Sequence, residues 1–192
     1  MTKIASESTG KNYHHYPKIA AIITAQSEGK SNAMAAAWHT TLSFDPPLYG
    51  VSIASKRFTY HLIADSKEFG VNFLPFDAVE IIASVGGCSG QEIDKFQQFN
   101  IATDKSVKTN APILQAAYAA YECKLIDDRE YGDHRLLVGE IVAVHSLKEL
   151  LTPEEIVNLD KVSPALSMGN EVYVTTLKDT LRKLDREVYG KI

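Results

Sequence analysis

The stretch from Ser31 to Asn72, SNAMAAAWHTTLSFDPPLYGVSIASKRFTYHLIADSKEFGVN, constrains this chain most. A strand rich in small residues runs into Asp45-Pro46-Pro47, where the prolines remove donors and turn the chain. A second strand follows over Leu48 to Ala54, and the cluster Ser55-Lys56-Arg57-Phe58-Thr59 opens a short helix over Arg57 to Asp65. Phe69 to Leu74 reads as the next strand, stopped by Pro75. Strand, turn, strand and a strand-to-helix junction in this order favour antiparallel pairing over the regular βαβ alternation of a doubly wound sheet.

The rest of the chain extends the pattern. Lys18 to Gln26 is a short β-prone run, and the polar link Ser27 to Ser31 returns it as a strand over Asn32 to Phe44. One face of that strand carries Asn32, Met34, Ala36, Trp38, Thr40, Leu42 and Phe44 and suits a core. The other carries Ala33, Ala35, Ala37, His39, Thr41 and Ser43. A face without bulk either packs under another element or leaves room for a ligand. Asp77 to Val85 reads as a helix with Asp77 as N-cap, and Gly86 to Gly90 as an irregular loop. Glu92 to Phe99 suits a helical turn or two. Ala116 to Ile126 and Arg135 to His145 form a long hairpin linked by Asp127 to Asp133. Thr152-Pro153 starts a helix, Glu171 to Thr176 is a last strand, and Lys178 to Tyr189 is a charged terminal helix. The expected architecture is a mainly β, antiparallel barrel with short helical insertions and a C-terminal helix. Residues 1–16 form an arm and residues 17–192 a single domain.

Several function classes fall away. A net charge of -4 leaves no broad basic surface for nucleic acid. No apolar run approaches the roughly 18 residues of a membrane span, and the first residues lack the apolar core of a signal peptide. Two cysteines cannot build a disulfide framework, so a reducing cytoplasm is the simplest compartment. Gly29-Lys30-Ser31 lacks the upstream glycine of a phosphate-binding loop, since that position is Thr24. No GxGxxG and no nucleophile elbow occurs. The six histidines form no metal-binding pair, and His39 and His134 suit hydrogen-bonded structural roles. Cys88 reads as an inert thiol in a glycine-rich loop, Cys123 as a strand residue.

Ser55 to Thr59 carries chemistry. Free backbone N–H groups and the helix dipole favour an anion there, with Arg57 offering a bidentate contact and Lys56 a point charge. Taken alone, the pentad is equally a helix cap with two solvated basic residues. Beside it, the smooth strand over Asn32 to Ser43 would let an isoalloxazine ring approach backbone amides, with Trp38 read as core.

The runs Asn32-Ala33-Met34-x-Ala36-x-Trp38, Ser43-x-Asp45-Pro46-Pro47, Ser55 to Thr59 and Glu68-Phe69-x-Val71-Asn72 resemble the flavin reductase-like FMN-binding split-barrel family, in its flavoredoxin-like branch. Ser89-Gly90 with Asp94-Lys95-Phe96, Tyr121-Glu122-Cys123, and Asp133-His134 with Val138-Gly139-Glu140 extend the resemblance over about Pro17 to Val174. It implies a six-stranded antiparallel split barrel and a homodimer with FMN near the subunit interface. The ring would lie against Asn32, Ala33, Met34, Ala35, Ala36, Ala37, Trp38, Thr40 and Thr41. The phosphate would meet Ser55, Lys56, Arg57 and Thr59, with Ser89 and Lys95 close by. The implied activity is NAD(P)H-dependent flavin reduction, FAD being an alternative flavin. Electrons would pass to free flavin, a ferric chelate, oxygen, a redox partner protein or an oxygenase. Hydride transfer to a flavin needs no catalytic side chain. A non-catalytic flavin carrier or sensor is the alternative.

Overall fold

A computed structural model describes residues 1–8, 10, 13–184 and 186–190. In chain order the strands begin with β1 (Lys18–Ile19), β2 (Ala21–Ser27), β3 (Lys30–Ala36), β4 (His39–Phe44) and β5 (Pro47–Ile53). Then come α1 (Phe58–Ser66), β6 (Glu68–Phe73), α2 (Val79–Gly86) and α3 (Lys95–Gln98). The short β7 (Thr103–Asp104) and β8 (Ile113–Leu114) precede the long pair β9 (Ala119–Tyr131) and β10 (His134–Ser146). The chain closes with β11 (Leu166–Gly169), β12 (Val172–Val174) and α4 (Arg186–Tyr189).

The main sheet has seven antiparallel strands in the order β3-β2-β6-β9-β10-β5-β4, beside a small β1-β11-β12 sheet and the β7-β8 pair. Seven strands stand where six were expected, because the segment read as one strand over Asn32 to Phe44 changes partner midway. Its pairing with β2 ends at Ala36 opposite Ala21, and pairing with β5 begins at His39 opposite Val51. Between them the Trp38 carbonyl accepts a hydrogen bond from the Ser52 N–H at 2.8 Å. One continuous segment thus supplies both edges of the curled sheet. The sheet is not a closed barrel, since β3 and β4 are not hydrogen-bonded neighbours.

Local chemistry accounts for the other departures from expectation. The first hairpin turns on Glu28-Gly29 alone, both with positive φ (49° and 76°), because Ser27 and Lys30 already pair. The long hairpin turns on Gly132-Asp133 rather than Asp127 to Asp133. Its acidic residues sit in the ladder instead, where Arg135 Nε donates to Asp128 Oδ1 at 2.6 Å and Nη1 to Glu130 at 3.2 Å. Asp77 caps nothing: a 3-10 turn, Phe76–Ala78, precedes α2, whose N-cap is Ala78. Asp94 is the effective cap, accepting from the N–H groups of Phe96 and Gln97. Thr152-Pro153 starts no helix, and that segment is a turn closed by the Leu151–Val157 bridge. The expected terminal helix is reduced to a 3-10 turn, Lys178–Thr180, and α4, with residue 185 outside the described residues.

The sheet is buried on both faces at β2. Ala21, Ile23 and Ala25 join Val51, Ile53, Leu62, Ile63, Phe69, Val71 and Leu137 in the cluster beneath α1. Ala20 and Ile22 join Ala33, Leu74, Ile82, Val85 and Leu114 in the cluster beneath α2. A strand covered on both sides needs apolar residues at consecutive positions, as Ala-Ala-Ile-Ile shows at Ala20 to Ile23. Among the described residues, no helix is long and apolar enough to cross a membrane.

Glu122 on β9 is fully buried yet charged. Its carboxylate accepts from the N–H groups of Val107, Lys108 and Thr109, the Thr109 hydroxyl and His145 Nε2, at 2.7 to 2.9 Å. Burial alone would raise its pKa, but those donors together hold it at about 2. A depressed carboxylate pKa contributes stability that is complete above the unfolded value and lost as pH falls through the folded one. Glu122→Gln is therefore expected to destabilise the fold by about 3 kcal/mol at pH 7. Urea unfolding should show that difference shrinking from pH 5 toward pH 2.

Candidate functional site

Because β3 pairs only with β2, its outer row of N–H and C=O groups has no strand partner. A cavity of about 490 Å³ runs along this free edge. Asn32, Met34, Ala35, Ala36, Ala37 and Trp38 line it from the β3 side, and Ser52, Ile53 and Ala54 from the end of β5. Lys56, Arg57, Phe58 and Thr59 contribute from the entry into α1. Val85, Gly86, Cys88, Ser89, Gly90 and Lys95 close it from the α2 to α3 side, and Tyr13, Tyr16 and His134 stand at its other end.

Most of the residues singled out from sequence therefore meet in one place. Ala33, Thr40, Thr41 and Ser55 do not line the cavity. Ala33 is buried with Ile82 and Val85 of α2, and Ala35 packs against the same cluster. A Cβ added to Gly86 would lie 3.3 Å from that of Ala35, so the small face admits a helix. The free backbone edge, not that face, leaves room for a ligand. Thr40 and Thr41 lie past the change of partner, exposed on β4. Trp38, expected in the core, is 42% exposed. Sequence reading missed Tyr13, Tyr16, the end of β5, Cys88 and Gly90, which carry no motif, and took His134 as purely structural.

One end of the cavity is built for an anion. Lys95 is only 3% exposed, and its Nζ donates to the carbonyls of Ala33 at 2.9 Å and Val85 at 2.6 Å. Its ion pairs with carboxylates number none among the described residues. Burial pushes the ammonium pKa down, with Arg57 adding to the effect and Cys88 opposing it. Three donors on an ammonium leave one beyond the two carbonyls. Helix α1 starts at Arg57 without any side-chain cap, which leaves its first-turn N–H groups for a ligand. Asn32 is 3% exposed; its Nδ2 donates to Thr59 Oγ1 at 2.8 Å, while its Oδ1 has no partner among the described residues. Gly90 crosses directly over that amide, since a Cβ there would come within 2.2 Å of Asn32 Oδ1.

The other end is aromatic. Trp38 Nε1 donates to the Tyr16 hydroxyl at 3.0 Å, and the indole lies 4.7 Å from the His134 ring, centroid to centroid. His134 Nδ1 faces Asp133 Oδ1 at 2.8 Å. Tyr13 is seated on Gly169, where a Cβ would approach its ring to 2.9 Å. His39 stays outside the site, bonded to the Ile19 carbonyl through Nε2 and the Tyr49 hydroxyl through Nδ1. Burial holds its pKa down. Cys123 is buried with its thiol pushed up to about 12, consistent with an inert residue.

Residues 13–167 match the flavin reductase like domain. The chain belongs to this family of oxidoreductases. Over 95% of its length it superposes on an FMN-binding protein from Thermus thermophilus, covering 99% of that chain at TM-score 0.84 and 34% identity. Structures of that protein hold 1-cyclohex-2-enone or p-hydroxybenzaldehyde. Flavoredoxin from Methanosarcina acetivorans is similar over 100% of both chains, with TM-score 0.85 and 25% identity. A ferric-chelate reductase (NAD(P)H) from Archaeoglobus fulgidus is 29% identical over 67% of this chain and 75% of its own. The chain spans about half the length, 51%, of an Aeropyrum pernix relative that it matches at 34% identity.

The close crossing at Gly90 can be tested directly. Gly90→Ala is expected to lower stability by roughly 1–3 kcal/mol, because either the loop or the Asn32 amide must move. Chemical unfolding of the variant against Asn32→Ala/Gly90→Ala checks it: the double variant should recover part of the loss.

Proposed function

We propose that the cavity holds FMN and that the protein is an NAD(P)H-dependent oxidoreductase of the flavin reductase type. The observation that carries this reading is a buried ammonium, Lys95, with no carboxylate beside it, next to an uncapped helix N-terminus and Arg57. A cation left so in a folded protein suits an anionic ligand, and a phosphate meets it best. The unpartnered Asn32 Oδ1 suits a donor on the same ligand. In this reading Lys95, Arg57, Lys56, Thr59 and Ser89 hold the phosphate end, with Ser55 at the helix entry. The β3 edge from Asn32 to Trp38 receives the ring through backbone groups, Ala33, Thr40 and Thr41 supporting the strand. FAD remains an alternative where its second phosphate reaches solvent.

When bound, FMN supplies a carrier that accepts hydride and passes electrons on. The chain's own residues bind it, neutralise its phosphate and shield one side of its ring. No side chain is assigned proton transfer. NAD(P)H is the proposed donor, in line with the name of the Archaeoglobus relative. Proposed acceptors are a ferric chelate, free flavin, a redox protein or oxygenase, and small conjugated carbonyl compounds of the kind held by the Thermus protein. A carrier or sensor without turnover is the second reading, favoured by the absence of a dinucleotide-binding glycine motif.

We further propose a cytoplasmic homodimer in which residues 17–192 form the domain and residues 1–16 an arm bearing Tyr13 and Tyr16. The outer face of β4, β5 and β10 supports self-association: Leu42 and Leu136 meet over Gly50, and Phe44 is 93% exposed.

The purified protein is expected to be yellow, with about one FMN per chain. A colourless protein that gains no bound absorbance on adding FMN would overturn the flavin reading. Arg57→Ala should weaken FMN roughly ten- to hundredfold in a titration of apoprotein, as loss of a charge-assisted contact predicts. Anaerobic stopped-flow with NADH and NADPH separates reductase from carrier: a carrier stays oxidised with both.

A further inference from the structure

The flavin reading uses the cationic end of the cavity and the β3 edge, and leaves the aromatic end without an occupant. That end is chemically distinct. Trp38 presents a half-exposed indole between Tyr16 and His134, and all three line the cavity. Indole N–H is a donor only, so the Tyr16 oxygen acts as acceptor in its bond to Trp38 and the phenolic proton is not used there. Among the described residues no acceptor takes it. A carboxylate is acceptor only, so His134 carries its proton on Nδ1 toward Asp133, and the neutral imidazole keeps a lone pair on Nε2. The end of the cavity therefore offers one donor and one acceptor beside a flat aromatic face.

We infer that this end is a binding subsite for a planar ring bearing a conjugated carbonyl group, with Tyr16 as the residue that orients it. The Tyr16 hydroxyl donates to the carbonyl oxygen while the ring stacks on Trp38. His134 Nε2 accepts from an N–H or O–H on the same ligand where one is present. Two sources share this chemistry: the carboxamide-bearing ring of a nicotinamide, and a small aromatic ketone or aldehyde acting as acceptor. A single subsite makes the two compete. The inference rests on the flavin reading, because bound flavin forms the floor on which such a ring would sit. It goes beyond it in giving the N-terminal arm a role in selecting the second ligand.

The test uses FMN-loaded protein and two probes, nicotinamide and acetophenone, with ethylbenzene as the control that lacks a carbonyl. Calorimetry should show both probes binding and each displacing the other, with ethylbenzene much weaker. Tyr16→Phe keeps the ring and removes the hydroxyl. It should weaken the carbonyl probes by about five- to tenfold, the range of one neutral hydrogen bond, and leave ethylbenzene and FMN affinity unchanged. Because Trp38 is the only tryptophan in the chain, its emission reports whether the variant keeps the local packing. Acetophenone binding without nicotinamide competition assigns the subsite to the acceptor, and the converse assigns it to the donor. A yellow protein that binds neither probe, or binds them equally well as Tyr16→Phe, overturns the subsite alone. A protein that never holds FMN overturns the flavin reading and this inference with it.

Discussion

The Lys95 ammonium, bonded to the carbonyls of Ala33 and Val85, is the contact on which the site depends. Those two carbonyls belong to the free edge of β3 and the last turn of α2, and Lys95 itself begins α3. One buried side chain thus joins an edge strand to two helices separated by the glycine-rich loop. Breaking it would leave two carbonyls and a charge without partners in a dry environment, a loss of several kcal/mol in comparable cases. The same geometry leaves the cation unmatched by any carboxylate among the described residues. Structural clamp and anion receptor are one group, which is why the phosphate end of the cavity is formed before a ligand arrives.

The second constraint is the change of partner at Ala37-Trp38. A sheet whose two edges come from one segment can curl tightly without closing, and it leaves one row of backbone groups open along β3. The small residues of β3 serve this indirectly. Ala33 and Ala35 let α2 approach closely, and that approach brings Val85, Gly86 and the loop to Gly90 over the strand edge. Packing and ligand space are therefore two consequences of the same alanines, on different sides of the strand.

Glu122 illustrates a different use of buried charge. Its five donors tie the loop over Val107 to Thr109 and His145 of β10 to the middle of β9, far in sequence but adjacent in the fold. This carboxylate is paired and belongs to stability. Lys95 is unpaired by any carboxylate and belongs to the site. Burial is common to both, and the partners separate the roles.

Much of the site was legible in the sequence because local chemistry places it. The Ser55 to Thr59 junction had to lie at a helix entry after a strand, and the Asp45-Pro46-Pro47 turn had to return β4 as β5. The antiparallel, mainly β class followed from hairpins joined by short turns. The number of strands in the main sheet did not follow, since periodicity along Asn32 to Phe44 is unbroken and only pairing with two different neighbours divides it. Nor could sequence decide whether the alanine face received a helix or a ligand, a choice that rests on where α2 packs. Tyr13, Tyr16 and His134 lie at opposite ends of the chain and carry no shared pattern. They become a wall of one cavity only because β10 pairs with β5 and the arm seats on β11, contacts between residues more than a hundred positions apart. Local propensity and short motifs are properties of neighbours in sequence, and these juxtapositions are properties of the sheet.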